Sequence, residues 1–176
     1  MRVTMTQGEI EVCTMLAQMR NKNHVPPNRY KVSNKTQLEQ DIEGVIGEYA
    51  FCKFKNIWPD LSTHSRQNGY DCIYNNYRVD VKATKNTSGM LLLSPKKDNP
   101  DIDIYVLAIL HPFHVELVGW AFKTDLQQPE NLKDLGYGPT YALTQSQLRN
   151  FKEDLKHEQL QTTAQVSNAT ATNAVR

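Results

Sequence analysis

Two aspartates and a lysine lie in Gly69-Tyr-Asp-Cys-Ile-Tyr-Asn-Asn-Tyr-Arg-Val-Asp-Val-Lys82, with Asn75-Asn76 midway between Asp71 and Asp80. Asparagine tolerates the left-handed backbone that a two-residue hairpin loop requires. A hairpin turning there pairs Tyr74 with Tyr77, Ile73 with Arg78 and Cys72 with Val79, and it sets Asp71 opposite Asp80. Opposed residues of antiparallel strands have Cβ atoms about 4.5–5.5 Å apart, and like charges so placed repel each other. Lys82 falls two positions beyond Asp80 and therefore on the same face. Cys72, Tyr74, Tyr77, Val79 and Val81 take the other. Two carboxylates and an ammonium gathered on one side suit a divalent metal ion. The ordinary alternative is a surface Asp71–Lys82 ion pair with Asp80 exposed beside it.

A third carboxylate comes from Gly44-Val-Ile-Gly-Glu48-Tyr-Ala-Phe. Its neighbours one helical turn away are Gly44, Val45, Phe51 and Cys52, so no lysine or arginine of the same helix can pair with it. A partly buried carboxylate of this kind needs a cation or donors from another element; a glutamate at the helix edge would simply reach solvent. Each helical glycine costs about 1 kcal/mol relative to alanine, so Gly44 and Gly47 suggest a close neighbouring backbone. If the helix packs on the hairpin, Glu48 joins Asp71 and Asp80.

The elements that must position these residues can be read from periodicity. Thr6 with Glu9, and Thr36 with Glu39, form capping-box patterns. They open helices expected to run to about residues 20 and 55, the first with an apolar stripe of Ile10, Cys13, Leu16, Val12, Met15 and Met19. Residues 23–32 form a connector, Trp58-Pro59 stops the second helix, and 60–68 form a polar loop. After the hairpin come β segments at 90–94, 102–110 and 115–122. Thr144 and Gln147 then start a last helix carrying Leu148, Phe151 and Leu155. Helices before and after a set of strands pack as an α/β fold with a central mixed β-sheet flanked by helices. Residues 1–158 read as one domain, and 159–176, rich in Gln, Thr, Ala and Asn, as a disordered tail.

Composition narrows the chemistry. Lys and Arg total 20 against 19 Asp and Glu, a net charge of +1, which neither requires nor forbids a nucleic-acid partner. No apolar run reaches the roughly 18 residues that a membrane span needs, and no secretion signal opens the chain. The three cysteines, Cys13, Cys52 and Cys72, have no paired or metal-ligand spacing, so the chain reads as a cytoplasmic protein with reduced thiols. The histidines show no zinc or His-Asn-His arrangement. Asp101 and Asp103 read as strand-starting acids, Arg78 as cover for the sheet, Thr84 as strand-end structure, and Trp120 and Phe122 as core.

Glu48 on a helix, then Asp71, then Asp80-Val81-Lys82 on a hairpin resembles the PD-(D/E)XK nuclease superfamily, the restriction-endonuclease-like fold, and especially its small phage and bacterial members. The similarity covers about residues 36–126 and departs from the pattern at Tyr70, where the motif has proline. The resemblance implies Mg²⁺ or Mn²⁺ held by Glu48, Asp71 and Asp80, with Lys82 as catalytic base or electrostatic stabiliser. It implies hydrolysis of DNA phosphodiester bonds, most naturally endonucleolytic, in the cytoplasm of a host if a phage encodes the chain. Enzymes of this kind that cut both strands commonly work as homodimers, although no segment here marks an interface. Two alternatives stand beside it: a catalytically silent module that binds DNA or a protein, and a junction- or branch-cleaving repair and recombination nuclease.

Overall fold

The structure is a computed structural model that describes residues 1–22, 35–63, 69–136 and 138–151. The connector at 23–32, positions 64–68 of the polar loop, Leu155 of the last expected helix and the tail from 159 lie outside the described residues.

Both capping boxes form. The Glu9 carboxylate accepts the Thr6 N–H at 2.7 Å and Thr6 Oγ1 accepts the Glu9 N–H at 3.2 Å, opening α1 (Gln7–Lys22). Thr36 and Glu39 repeat the exchange at 2.7 and 3.2 Å, opening α2 (Gln37–Lys55). The stop of α2 is Asn56, earlier than Trp58-Pro59. It adopts the left-handed φ of 53° and returns its N–H to the carbonyls of Cys52 and Lys53. The stripe on α1 is narrower than its sequence suggests. Cys13, Leu16 and Ala17 are buried, whereas Val12, Met15 and Met19 are 49%, 61% and 49% exposed.

A five-stranded sheet has the order β1-β6-β5-β3-β2, formed by β1 (Arg2–Thr4), β2 (Cys72–Tyr74), β3 (Tyr77–Thr84), β5 (Ile104–His111) and β6 (His114–Phe122). Only the β3–β5 pair is parallel, so the sheet is mixed. The run Ile104-Tyr-Val-Leu-Ala-Ile-Leu110 is buried throughout, as befits a central strand covered on both faces. Its neighbour β3 alternates instead. Val79 and Val81 face α1 and α2 in a core with Ala50, Phe51 and Cys52. Tyr105 and Leu107 of β5 face the opposite core, with Leu91, Leu126 and Leu143.

That second core adds a second sheet to the expected mixed sheet flanked by helices. Helices α1 and α2 cover one face only. The other is covered by a three-stranded sheet of order β4-β8-β7, namely β4 (Leu91–Leu93), β7 (Leu132–Asp134) and β8 (Pro139–Leu143), together with the short α3 (Lys123–Leu126). Residues 139–143 carry a period-two pattern, with Thr140 and Ala142 buried, which their Gly- and Pro-rich surroundings disguise as loop. The start of the last expected helix is corrected, although Phe151 is helical. Thr144 and Gln147 do form a capping box, but around one 3-10 turn, Gln145–Gln147. The chain then extends, Arg149 exchanges backbone hydrogen bonds with Trp120 at 2.8 and 3.1 Å, and Phe151 enters the helix-side core. Gly119 permits this approach, because a Cβ there would stand 2.7 Å from Arg149 O and from Leu148 Cβ.

Candidate functional site

The hairpin forms with the expected register: Cys72 pairs with Val79, Ile73 with Arg78 and Tyr74 with Tyr77. Asn75 and Asn76 make the turn at φ 49° and 65°. Pairing stops at Cys72, however, and Asp71 lies in a bend rather than in a ladder position facing Asp80. Its N–H donates to the Val79 carbonyl at 2.8 Å, and its Oδ2 accepts the Val81 N–H at 2.7 Å. The Asp71 carboxylate therefore sits against the peptide that joins Asp80 to Val81. It satisfies a β3 donor at the point where β2 has ended.

Asp80 and Lys82 occupy the face of β3 turned away from α2. Lys82 Nζ meets the Asp80 oxygens at 2.6 and 2.9 Å, with the Asp80 side chain 17% and the Lys82 side chain 39% exposed. The surface ion pair thus joins Lys82 to Asp80 and not to Asp71. In the parallel pairing Asp80 stands beside Tyr105 and Lys82 beside Leu107, and the Lys82 ammonium lies 5.7 Å from the centre of the Tyr105 ring. Burial, reinforced by the charges of Asp80 and Asp98, pushes the Tyr105 phenol above its ordinary range.

Glu48 belongs to the other side of the sheet. Gly47, beside it, brings α2 close to β3 and β5: a Cβ there would lie 2.9 Å from Ala83 Cβ and 3.5 Å from Ala108 Cβ and Val81 Cγ1. Gly44 has no such neighbour, only Glu48 Oε1 at 3.9 Å. The cation that Glu48 lacks within its own helix comes from α1. Arg20 Nη1 donates to Glu48 Oε2 at 3.3 Å, while Arg20 Nε and Nη2 donate to the carbonyls of Ser62 and Asp60 at 2.9 and 2.7 Å. Arg20 thereby ties α1, α2 and the 60–62 segment together. Both Glu48 and Asp71 act on Cys72, whose thiol is pushed well above its usual value first by a hydrogen bond with Cys52, then by burial and nearby negative charge.

The hairpin brings Asp71 onto the peptide that follows Asp80 and sets Asp80 and Lys82 on one face of β3, whereas Glu48 lies on the α2 side of the sheet, engaged with Arg20. Among the described residues, no group of three or more His, Cys, Asp or Glu side chains is arranged to hold a metal ion. The available donors are carboxylate oxygens. All three cysteines are free and buried, and burial, with the charges of Glu48 and Glu9, pushes the Cys13 thiol up to about 12. This donor set suits a hard cation such as Mg²⁺, which commonly takes one or two protein carboxylates and keeps several waters for exchange with phosphate. It does not suit a thiolate metal.

Sequence reasoning missed Arg20 and Tyr105. Arg20 reads as a helix C-terminal cation, and no local pattern ties it to Glu48. Tyr105 is the single hydroxyl-bearing residue in an otherwise apolar strand, but its place beside Asp80 depends on a parallel register that no spacing reveals. The other candidates do structural work. Asp103 accepts the Arg78 N–H at 2.8 Å and its Nε–H at 3.1 Å, and Asp101 accepts from Arg78 Nη1 at 3.0 Å. Thr84 Oγ1 accepts the Asn86 N–H at the strand end. Among the described residues, no helix is long and apolar enough to cross a membrane. No family model, curated protein or solved structure matches the chain.

Proposed function

We propose that the protein is a metal-dependent deoxyribonuclease of restriction-endonuclease-like build. On this reading Asp71 and Asp80 hold Mg²⁺ or Mn²⁺, Glu48 is the helical third carboxylate, and Lys82 assists the attacking water. The observation that carries the reading is local: Lys82 and Asp80 share one face of β3, and the Asp71 carboxylate closes on the very next peptide N–H. A divalent ion bound by these acids would act as Lewis acid for a phosphodiester and lower the pKa of its water. The chain's own residues supply the rest. Asp80 keeps Lys82 in place, and the Lys82 ammonium stabilises negative charge developing on the phosphate. Hydrolysis adds the water oxygen to phosphorus, breaks one P–O ester bond and delivers the water's proton to the leaving oxygen.

One observation favours a second reading. Asp80 and Glu48 already have protein cations as partners, Lys82 and Arg20, which is also how a catalytically silent module that binds DNA or a protein would be built. Supercoiled plasmid, single-stranded DNA, four-way junctions and flaps, each with Mg²⁺ or Mn²⁺, separate these possibilities. The nuclease reading expects the wild type to cut at least one of them and Asp80→Ala and Lys82→Ala to lose that cutting. Equal activity in all three proteins ends it. DNA binding without turnover on every substrate and metal supports the silent module, and cutting confined to junctions or flaps identifies a branch-specific enzyme.

A further inference from the structure

Tyr105 is 1% exposed, yet its hydroxyl makes no hydrogen bond among the described residues. A buried tyrosine normally finds a partner for its hydroxyl. The only fully enclosed side-chain nitrogen or oxygen without a hydrogen bond among the described residues is Nε2 of His111. The ring of Tyr105 is therefore packed away while its hydroxyl oxygen is not fully enclosed. It lies on the face of the sheet that carries Asp80 and Lys82. Asp80 is its neighbour in the parallel ladder, Lys82 lies over its ring, and Asp80 and Asp98 are the acids that act on it. Asp98 is itself held by Lys123 at 2.7 Å. A neutral O–H with no protein partner among the described residues, on the face of the sheet that carries Asp80 and Lys82, is matched by an anionic oxygen arriving from outside.

We propose that Tyr105 is a substrate-contacting residue: its hydroxyl donates a hydrogen bond to a non-bridging oxygen of the phosphodiester bound beside Asp80 and Lys82. This rests on the nuclease reading above. The hydroxyl loses no proton and forms no covalent bond. Its donation strengthens as charge builds on the phosphate, and rigid packing of the ring fixes its aim.

The test is Tyr105→Phe, which keeps the ring and removes only the donor. In single-turnover cleavage with Mn²⁺, the variant is expected to cut on the order of 10²-fold more slowly, with the metal concentration for half-maximal rate unchanged. Replacing one non-bridging oxygen at the scissile phosphate by sulfur, a poor acceptor, should close this gap for one diastereomer and not the other. A second readout needs no turnover. With ¹³C-labelled tyrosine, the ring-carbon resonance missing from Tyr105→Phe should move when a short duplex is added in EDTA. Wild-type-like cleavage by Tyr105→Phe, a gap insensitive to sulfur, or a resonance that stays put while others move overturns the proposal. In those cases loss of cutting by Asp80→Ala keeps the nuclease reading standing. If the wild type cuts nothing, both readings fall together.

Discussion

One strand carries two acid–base clusters on the same face, and they are built differently. At its start Arg78 forms a fork to Asp101 and Asp103, with Asp103 also accepting the Arg78 N–H. These bonds span two strands and pin the beginning of β5 to β3. Two and four residues later Asp80 and Lys82 make their ion pair with each other within the strand, and their reach to a second element is Lys82 over the Tyr105 ring at 5.7 Å. The first cluster is accounted for by architecture. Among the described residues, the second makes no ion pair or side-chain hydrogen bond to another strand, and it lies where a third acid, Asp71, meets the backbone. Charge without a tertiary task is what distinguishes a site from a clamp.

The sharpest way to break this contrast is a pair of substitutions, one on β3 and one just before the neighbouring β5. Asp80→Asn should reduce metal-dependent DNA cleavage by about 10³-fold or more while leaving Tm within about 2 °C, because the ion pair it removes lies within one strand and its amide can still accept from Lys82. Asp103→Asn should do the reverse, retaining cleavage and lowering Tm by a few degrees. Thermal melts and plasmid cleavage on the same preparations decide it, and two equal profiles would erase the distinction.

The opposite face of β3 supplies the next largest effect. Gly47 lets α2 touch Ala83 and Val81, and a Cβ at 2.9 Å from another Cβ cannot be accommodated without a shift. Gly47→Val should therefore cost about 1–3 kcal/mol by overpacking. Gly44→Ala, with open space around it, should be neutral or slightly stabilising. Chemical denaturation of the two variants checks this, and equal losses would mean that α2 does not pack as described. Smaller again is Asp71→Ala, which strands the Val81 N–H near a strand edge and should cost about 1 kcal/mol. On the proposed function it also abolishes cleavage. A stability loss with cleavage intact would assign Asp71 to the clamp side of the comparison.

Much of this contrast was legible in the chain. The two capping boxes, the Asn75-Asn76 turn and the register it dictates follow from local chemistry, which tertiary contacts did not override. So did the need of Glu48 for a foreign cation, because the absence of a partner within one helical turn is visible in the residues themselves. What was hidden depends on distant contacts. Arg20 lies 28 positions from Glu48 in sequence. Residues 139–143 become a strand because β4 and β7 flank them, pairing Leu143 with Leu91 and Tyr141 with both Leu93 and Leu132. Asp71 was expected to face Asp80, but a bend, set where the ladder runs out, turned its carboxylate onto the Val81 N–H instead.

The smallest effect probes the clamp alone, through pH. Hydrogen bonds from the Arg78 side chain and then its backbone hold the Asp103 carboxyl below the usual range. A group whose pKa is depressed by folding contributes stability that is fully present above its unfolded value, about 3.9, and that disappears as pH falls through the lower folded value. The Tm difference between wild type and Asp103→Asn should therefore be constant from pH 7 to 5 and shrink below about pH 4. Because Asp103 is partly exposed, salt should shrink the difference as well. A difference that persists unchanged to pH 3 would mean that Asp103 acts through shape rather than charge, and the clamp would then differ from the Asp80–Lys82 pair in geometry alone.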